Sequence, residues 1–194
     1  MKKTVIKSVV ITLACVVATG AIIYVLLLTA FPGALASLYA NTGNYGSAVR
    51  YESRAYDNSG DIALIVTAAG YAAQSGNNDL IIETVEKFVS DDEFAKYTED
   101  NFEHSTFLTS KYVVARYEKE GGSQALVDKA FSLLVGYASH NQVEYLLVAA
   151  YEKGDKDTLQ KISVGLDGID SASLSEQQKV YLDNDKAVIE KALS

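Results

Sequence analysis

The chain has one cysteine, one proline and no tryptophan among its 194 residues. A single thiol excludes an intrachain disulfide and a zinc or iron–sulfur site built from cysteines. So little proline argues against a turn-rich β-sandwich, while a hydrophobic content of 48% excludes a disordered chain. The length suits one domain, or one domain with an anchor, and is too short for two full enzyme domains.

Positive charge is also scarce. Three lysines precede the first acidic residue, Glu52, and beyond position 31 there are 14 basic and 25 acidic residues, a net charge of −11. A strongly acidic domain repels phosphate backbones, so we expect no nucleic-acid partner. The same charge favours a basic or apolar polypeptide as the partner.

One long apolar run is present. Residues 8–31 carry no charge and would form roughly 36 Å of helix, enough to cross a hydrocarbon core of about 30 Å. Because lysines precede the run and no basic residue follows it until Arg50, the positive-inside rule keeps the N-terminus in the cytoplasm. We therefore expect a single-pass protein of the cell membrane. It would have a basic cytoplasmic segment at 1–7, a transmembrane helix at 8–31 and an extracytoplasmic domain at 33–194.

Two other interpretations of this run are weaker. A cleaved signal peptide would suit the small residues of Ala34-Leu35-Ala36, but its apolar core spans only about 7–15 residues. Thr12-Leu13-Ala14-Cys15 resembles a lipoprotein acylation signal, yet the apolar run continues for sixteen residues beyond Cys15. An uncleaved signal-anchor fits better, with Cys15 as a small buried hydrophobic residue.

Beyond the predicted span, apolar residues recur at helical spacing, which predicts an all-α domain. We expect a helix break wherever glycine is followed by a residue that can cap the next helix. These breaks are Thr42-Gly43-Asn44, Ser59-Gly60-Asp61, Ser75-Gly76-Asn77, Gly121-Gly122, Lys153-Gly154-Asp155 and a loop from Gly165 to Ser173.

Four of the break glycines are regularly spaced. We call Gly43, Gly76, Gly121 and Gly154 the turn glycines. Gly43 and Gly76 are 33 residues apart, and so are Gly121 and Gly154, whereas 45 residues separate Gly76 from Gly121. The difference of 12 is interpreted as an insertion at 90–101, with one or two helical turns behind a capping box of Ser90 and Glu93. A helical unit that recurs in this way is typical of an α-solenoid, because two short helices bury their apolar faces only by stacking on neighbours.

The first unit matches a known repeat family. At that family's spacings it carries Leu35, Ala36, Tyr39, Gly43, Tyr45, Ala48 and Ala55. The later units keep fewer of these residues: Ala69, Ala72 and Gly76, then Tyr117, Gly121 and Ala130, then Ala150 and Gly154. The domain resembles the tetratricopeptide repeat, which implies a solenoid of about four repeats. A C-terminal capping helix at Glu176–Leu193 would follow a capping box of Ser173 and Glu176. The third and fourth units also fit a generic helical array.

Motifs for hydrolysis, phosphate binding and dinucleotide binding are missing. The two histidines, His104 and His140, stand at predicted helix starts, and we interpret both as surface residues. The acidic stretches at 91–93, 99–100 and 167–170 do not match the oxygen pattern of a calcium loop, and helix capping accounts for them. We therefore expect no enzyme activity, no cofactor and no metal.

The resemblance implies a concave groove, lined by the first helix of each unit, that binds an extended or helical peptide. The expected groove residues are Ser37, Asn41, Val66, Gln74, Lys111, Glu118, Glu144 and Tyr151. The family's clamp for C-terminal carboxylates uses an asparagine where this chain has Ser37, Gly70, Ala115 and Val148, so such a terminus is not the expected ligand.

Together these features predict a membrane-anchored, non-catalytic protein-binding adaptor or chaperone-like assembly factor. Its architecture is similar to single-span tetratricopeptide-repeat proteins of bacterial secretion or envelope machinery. Two alternatives stay open. One is a structural homo-oligomer of the cell envelope. The other is a secreted helical domain or an enzyme of unrecognised type, such as one that uses paired carboxylates on cell-wall material.

Overall fold

The computed structural model describes residues 12–25, 32–139 and 141–194, and every regular element in these ranges is helical. The prediction of an all-α chain is confirmed for these residues. The elements are α1 (12–25), α2 (Pro32–Asn41), α3 (Tyr45–Ser59), α4 (Ile62–Ser75), α5 (Asn78–Val89), α6 (Phe94–Asp100), α7 (Phe102–Glu120), α8 (Gln124–Ser132), α9 (Gln142–Glu152), α10 (Lys156–Asp167), a 3-10 turn at Ser171–Ser173, and α11 (Glu176–Leu193).

Capping side chains and glycines set most helix boundaries. At the start of α4, for example, Asp61 Oδ1 accepts a hydrogen bond from the backbone N–H of Ala63 at 3.0 Å. After α4, Gly76 has a φ of 64°, in the left-handed region that glycine enters without strain. The predicted breaks are confirmed at Gly43, Gly60, Gly76, Gly121 and Gly154.

The insertion at 90–101 holds α6, a helix of 7 residues, as predicted. Its predicted capping box is wrong, because Ser90 ends α5. Helix α6 has no side-chain cap, and Asp91 Oδ1 accepts the backbone N–H of Glu93 at 2.8 Å in the turn before it. A carboxylate two residues before an N–H closes such a turn readily, so Asp91 stabilises the turn between α5 and α6 without capping α6.

Helix α11 begins at Glu176 as predicted, but its capping box is Ser175 with Gln178. Ser175 Oγ accepts the backbone N–H of Gln178 at 3.3 Å, and the Gln178 side chain accepts that of Ser175 at 2.9 Å. The predicted capping residue, Ser173, lies in the 3-10 turn, where its hydroxyl donates to the carbonyl oxygen of Asp170 at 2.7 Å. The preceding turn therefore decides which serine caps the helix.

Two boundaries late in the chain differ from the prediction. The loop predicted from Gly165 starts only after Asp167, because Gly165 is a helical residue packed closely against Phe131 of α8. A further break separates α8 from α9, and the glycine pattern used above does not predict it. Gly136 lies in this break with a φ of 75°.

The four repeat units, α2–α3, α4–α5, α7–α8 and α9–α10, share one burial pattern. In each unit the turn glycine lies between the two helices, at Gly43, Gly76, Gly121 or Gly154. The residue eight positions before it is at most 3% exposed, and the residues five and twelve positions after it are at most 8% exposed. In chain order the residues at these three positions are Leu35, Ala68, Val113 and Leu146; Ala48, Ile81, Leu126 and Leu159; and Ala55, Phe88, Leu133 and Leu166. The spacing found in the sequence therefore corresponds to a repeating set of core positions.

Each unit packs against its neighbours along the chain. The main contacts join α3 to α4, α5 to α7, α7 to α9 and α10 to α11. Buried side chains hydrogen-bond across these contacts, as where Gln142 Nε2 donates to Thr109 Oγ1 at 2.6 Å between α9 and α7. A packed array of this kind is compatible with an α-solenoid.

Within the described ranges, no helix combines the length and the apolar character needed to cross a bilayer. The predicted span at 8–31 also includes residues 8–11 and 26–31, which lie outside the described residues, as do the predicted segment 1–7 and His140. The described part of the span, α1, is helical and exposed throughout.

Candidate functional site

Apolar side chains are exposed along one side of α7 and α9, the first helices of the third and fourth units. On α9, Tyr145, Val148 and Tyr151 follow one another every three residues and are 36%, 47% and 47% exposed. Leu147, on the other side of the same helix, is buried. Phe107 on α7 is 45% exposed. A helix that is apolar on both sides leaves one side uncovered when the other packs on a neighbour. We call Phe107, Tyr145, Val148 and Tyr151 the apolar strip.

A pocket of about 390 Å³ lies at one end of the apolar strip. Its lining residues are Phe102, Glu103, Thr106, Phe107, Ser139 and Tyr145. Lys111, one helical turn beyond Phe107, places its Nζ 5.6 Å from the centroid of the Phe107 ring, which is a cation–π distance. Four of the six lining residues, from Phe102 to Phe107, belong to the first two turns of α7, so this end of the helix contributes most of the pocket wall.

An acidic depression of about 410 Å³ adjoins this pocket, and Phe102 and Glu103 line both. The rest of its lining is Glu99, Asp100, Asn101 and His104. Carboxylates beside an apolar pocket suit a ligand that presents an apolar and a basic side chain close together.

The structure places most predicted groove residues on the surface. The exposed ones are Ser37, Asn41, Gln74, Lys111, Glu118 and Tyr151. Glu144 is half-buried, and Val66 lies in the core at 5% exposure. On α4 the exposed neighbour of Val66 is Thr67, which lies seven residues, or two helical turns, before Gln74.

Only some of these residues come together. Lys111 and Tyr151 lie on α7 and α9, which pack against each other. Glu118 instead accepts a hydrogen bond from Asn78 Nδ2 at 2.6 Å, which links the third unit to the second. Ser37 and Asn41 lie on α2, two units away from the pocket.

The groove prediction missed four apolar residues that contribute to this surface: Phe102, Phe107, Tyr145 and Val148. A signal for two of them is present in the sequence. Phe107 precedes the predicted Lys111 by one helical turn, and Val148 precedes the predicted Tyr151 by three residues. Phe102 begins α7, and only the fold brings it beside Tyr145.

Among the described residues, no group of three or more His, Cys, Asp or Glu side chains could hold a metal ion. The oxygens of Asp91 already accept hydrogen bonds from the Tyr56 hydroxyl at 2.7 Å and from the backbone of Glu93. His104 is exposed, and its Nδ1 lies 3.1 Å from the Tyr97 hydroxyl. Burial raises the pKa of Tyr97, so this phenol stays protonated near neutral pH.

Comparison of the chain with family models, curated proteins and solved structures gives no match.

Proposed function

We propose that this protein is a membrane-anchored adaptor or assembly factor that binds a polypeptide along α7 and α9 and has no catalytic role. The observation that carries the proposal is the pocket of Phe102, Phe107 and Tyr145 beside the acidic depression. An apolar side chain of the partner enters the pocket, and a neighbouring basic side chain meets Glu99 and Asp100.

The repeat pattern supports this assignment. Stacked helical pairs that resemble tetratricopeptide repeats line a groove with their first helices, and α7 and α9 hold that position in the third and fourth units. The net charge of −11 beyond residue 31 favours a basic partner and slows association with acidic ones.

The proposal includes the membrane anchor. The 24 uncharged residues at 8–31 and the three lysines before them support a single-pass topology with a cytoplasmic N-terminus and an extracytoplasmic domain at 33–194. A reporter that is active only outside the cytoplasm, fused after Ser194, tests this topology. An inactive reporter on a well-expressed chain would contradict it.

Site-specific photo-crosslinking in native membranes tests the partner surface. Val148 on α9 and Val164 on α10 are a matched pair, because both are exposed valines of the fourth unit, at 47% and 65%. With a photoreactive residue at each position in turn, we expect position 148 to capture a discrete partner and position 164 to capture none.

The captured species decides between the hypotheses. A heterologous protein whose crosslinked segment is basic and apolar supports the adaptor. A product of two copies of this chain favours the structural homo-oligomer, and equal capture from both positions contradicts a binding surface on α9.

A further inference from the structure

Charge is unevenly distributed along the domain. Residues 32–60, which comprise the first unit, have two basic and two acidic residues, whereas residues 61–194 have 12 basic and 23 acidic ones. All of the net negative charge therefore lies beyond the first unit. Between residues 8 and 86 the only cations are Arg50 and Arg54, one helical turn apart on α3.

Both arginines are exposed on the surface of the first unit. The two acids of this unit do not neutralise the arginines. Asp57 forms an ion pair with Lys87, with Nζ 3.1 Å from Oδ1, and Glu52 is buried at 6% exposure. No carboxylate in the described ranges lies within ion-pair distance of Arg50 or Arg54. The exposed surface of α3 is thus locally basic in an acidic domain.

Aromatic rings lie beside these arginines. Tyr51 follows Arg50, and its ring stacks on that of Tyr39 from α2, with centroids 5.3 Å apart and planes 7° from parallel. The hydroxyl of Tyr24, on α1, lies 3.5 Å from the hydroxyl of Tyr51. Tyr24 lies seven residues before the end of the segment proposed to cross the bilayer, so this contact holds α3 close to the extracytoplasmic half of that segment.

We propose that the first unit rests on the bilayer through an interfacial face, made of Tyr39, Arg50, Tyr51 and Arg54, that binds anionic phospholipid headgroups. This inference rests on the proposed membrane anchor. Guanidinium groups bind lipid phosphates in a bidentate way, and tyrosine favours the boundary between hydrocarbon and water. The anionic surface repels the acidic units beyond residue 61, so the pocket on α7 and α9 projects away from the membrane.

The absence of tryptophan makes a sensitive test possible, because one introduced indole is the only tryptophan in the full chain. Tyr51→Trp places that reporter in the interfacial face, and Tyr151→Trp places a matched reporter on α9. Each full-length variant is reconstituted into phosphatidylcholine vesicles that contain brominated lipid, with or without phosphatidylglycerol. We expect lipid quenching at position 51 to exceed that at position 151 several-fold and to increase with phosphatidylglycerol.

Charge reversal tests the arginines directly. In the Tyr51→Trp background, Arg50→Glu with Arg54→Glu should lower lipid quenching several-fold. Lys96→Glu with Lys191→Glu makes the same change in net charge at exposed positions outside the first unit and should leave quenching unchanged. Equal quenching at positions 51 and 151, or equal effects of the two double variants, would overturn the interfacial face. If these arginines bind an acidic protein and not lipid, one of these two overturning results is expected.

Carbonate extraction separates this inference from the anchor. If the reconstituted chain stays with the vesicles in carbonate but position 51 is not quenched, the anchor holds and the interfacial face is wrong. If carbonate extracts the chain, the anchor is wrong, and quenching at position 51 before extraction still supports lipid contact by this face.

Discussion

Tyr117 of the third unit donates a hydrogen bond from its hydroxyl to Asp155 Oδ2 of the fourth unit, at 2.9 Å. The same carboxylate caps α10, since its Oδ1 accepts the backbone N–H of Thr158 at 3.0 Å and its Oδ2 accepts the Thr158 hydroxyl at 2.6 Å. Burial opposes ionisation of Asp155, but the hydrogen bonds from Thr158 and Tyr117 outweigh it and lower the pKa. One carboxylate therefore couples helix capping to the stacking of two units.

Removal of the Tyr117 hydroxyl should weaken the contact between the third and fourth units. We expect Tyr117→Phe to lower the free energy of unfolding by about 1 kcal/mol near neutral pH, because it deletes a hydrogen bond to a charged group. The pKa of Asp155 in the folded state lies below the ordinary pKa of an aspartate. The stabilisation that its ionised form contributes is therefore present above that ordinary pKa and is lost as pH falls through the folded-state pKa. Urea unfolding at neutral and acidic pH measures both effects. Tyr151→Phe, at an exposed tyrosine, is the control and should change stability little.

Gly165 should not tolerate a methyl group. A Cβ at this position would lie 2.4 Å from Cε2 of Phe131, on the neighbouring helix α8. We expect Gly165→Ala to destabilise the domain by about 1–3 kcal/mol through overpacking, despite the helix propensity of alanine. Gly70→Ala is the matched control, because Gly70 is also helical but has nothing within 4 Å of a built Cβ. It should stabilise by about 0.5–1 kcal/mol. Thermal unfolding measures both, and the same sign for both variants would contradict this packing.

Glu52 occupies a core position that is apolar or small in the other units, which have Val85, Ala130 and Ser163 nine residues after the turn glycine. Burial raises its pKa. The free-energy cost of ionising Glu52 in the folded protein is therefore present in full above its folded-state pKa and disappears below the ordinary pKa of a glutamate. We expect Glu52→Leu to raise the free energy of unfolding by about 1–2 kcal/mol near neutral pH, with a smaller gain in acid. Glu83→Leu, at an exposed position, is the control, and an equal gain from both would show that burial is not the cause.

Asp185 on α11 accepts a hydrogen bond from the hydroxyl of Tyr137, a residue only 2% exposed in the loop between α8 and α9. Burial raises the pKa of Asp185 to about 6. The folded state therefore holds a proton that the unfolded state has released, and stability falls as pH rises from about 4 to about 6. We expect Asp185→Asn to flatten this dependence and to stabilise by about 1 kcal/mol near neutral pH, after allowance for partial exposure to solvent.

The control for Asp185 is Asp183→Asn, which neutralises an exposed carboxylate two residues away on the same helix. Denaturant midpoints across the pH range compare the two variants. A pH profile that Asp183→Asn changes as much as Asp185→Asn would assign the effect to net charge and not to the buried contact with Tyr137.

Most helix boundaries follow from residues that are adjacent in the chain. Gly76 ends α4 because its backbone adopts a left-handed conformation, and Asn77 starts α5 because its Oδ1 accepts the backbone N–H of Asp79 at 3.0 Å. Such interactions span only a few residues, so the sequence alone predicts them. Where two candidates compete over the same short distance, as Ser173 and Ser175 do before α11, spacing alone does not select the right one.

The candidate site was predicted less completely, because it depends on which side of each helix a neighbour covers. Val66 was expected in the groove, yet the packing of α4 buries it and leaves Thr67 exposed. Phe102 and Tyr145 are 43 positions apart in the chain and line one pocket only because α7 packs against α9.

Apolar periodicity and glycine spacing were therefore enough to predict an all-α chain and its repeat register, and the uncharged run at 8–31 is a property of the sequence itself. The packing of helices against one another decided that Gly165 belongs to a helix, that Val66 is buried and that Tyr24 meets Tyr51. The physical reason is the distance along the chain: caps and turns form between residues a few positions apart, whereas burial and side-chain contact depend on surfaces supplied by other helices, as when Tyr24 meets Tyr51 at a separation of 27 residues.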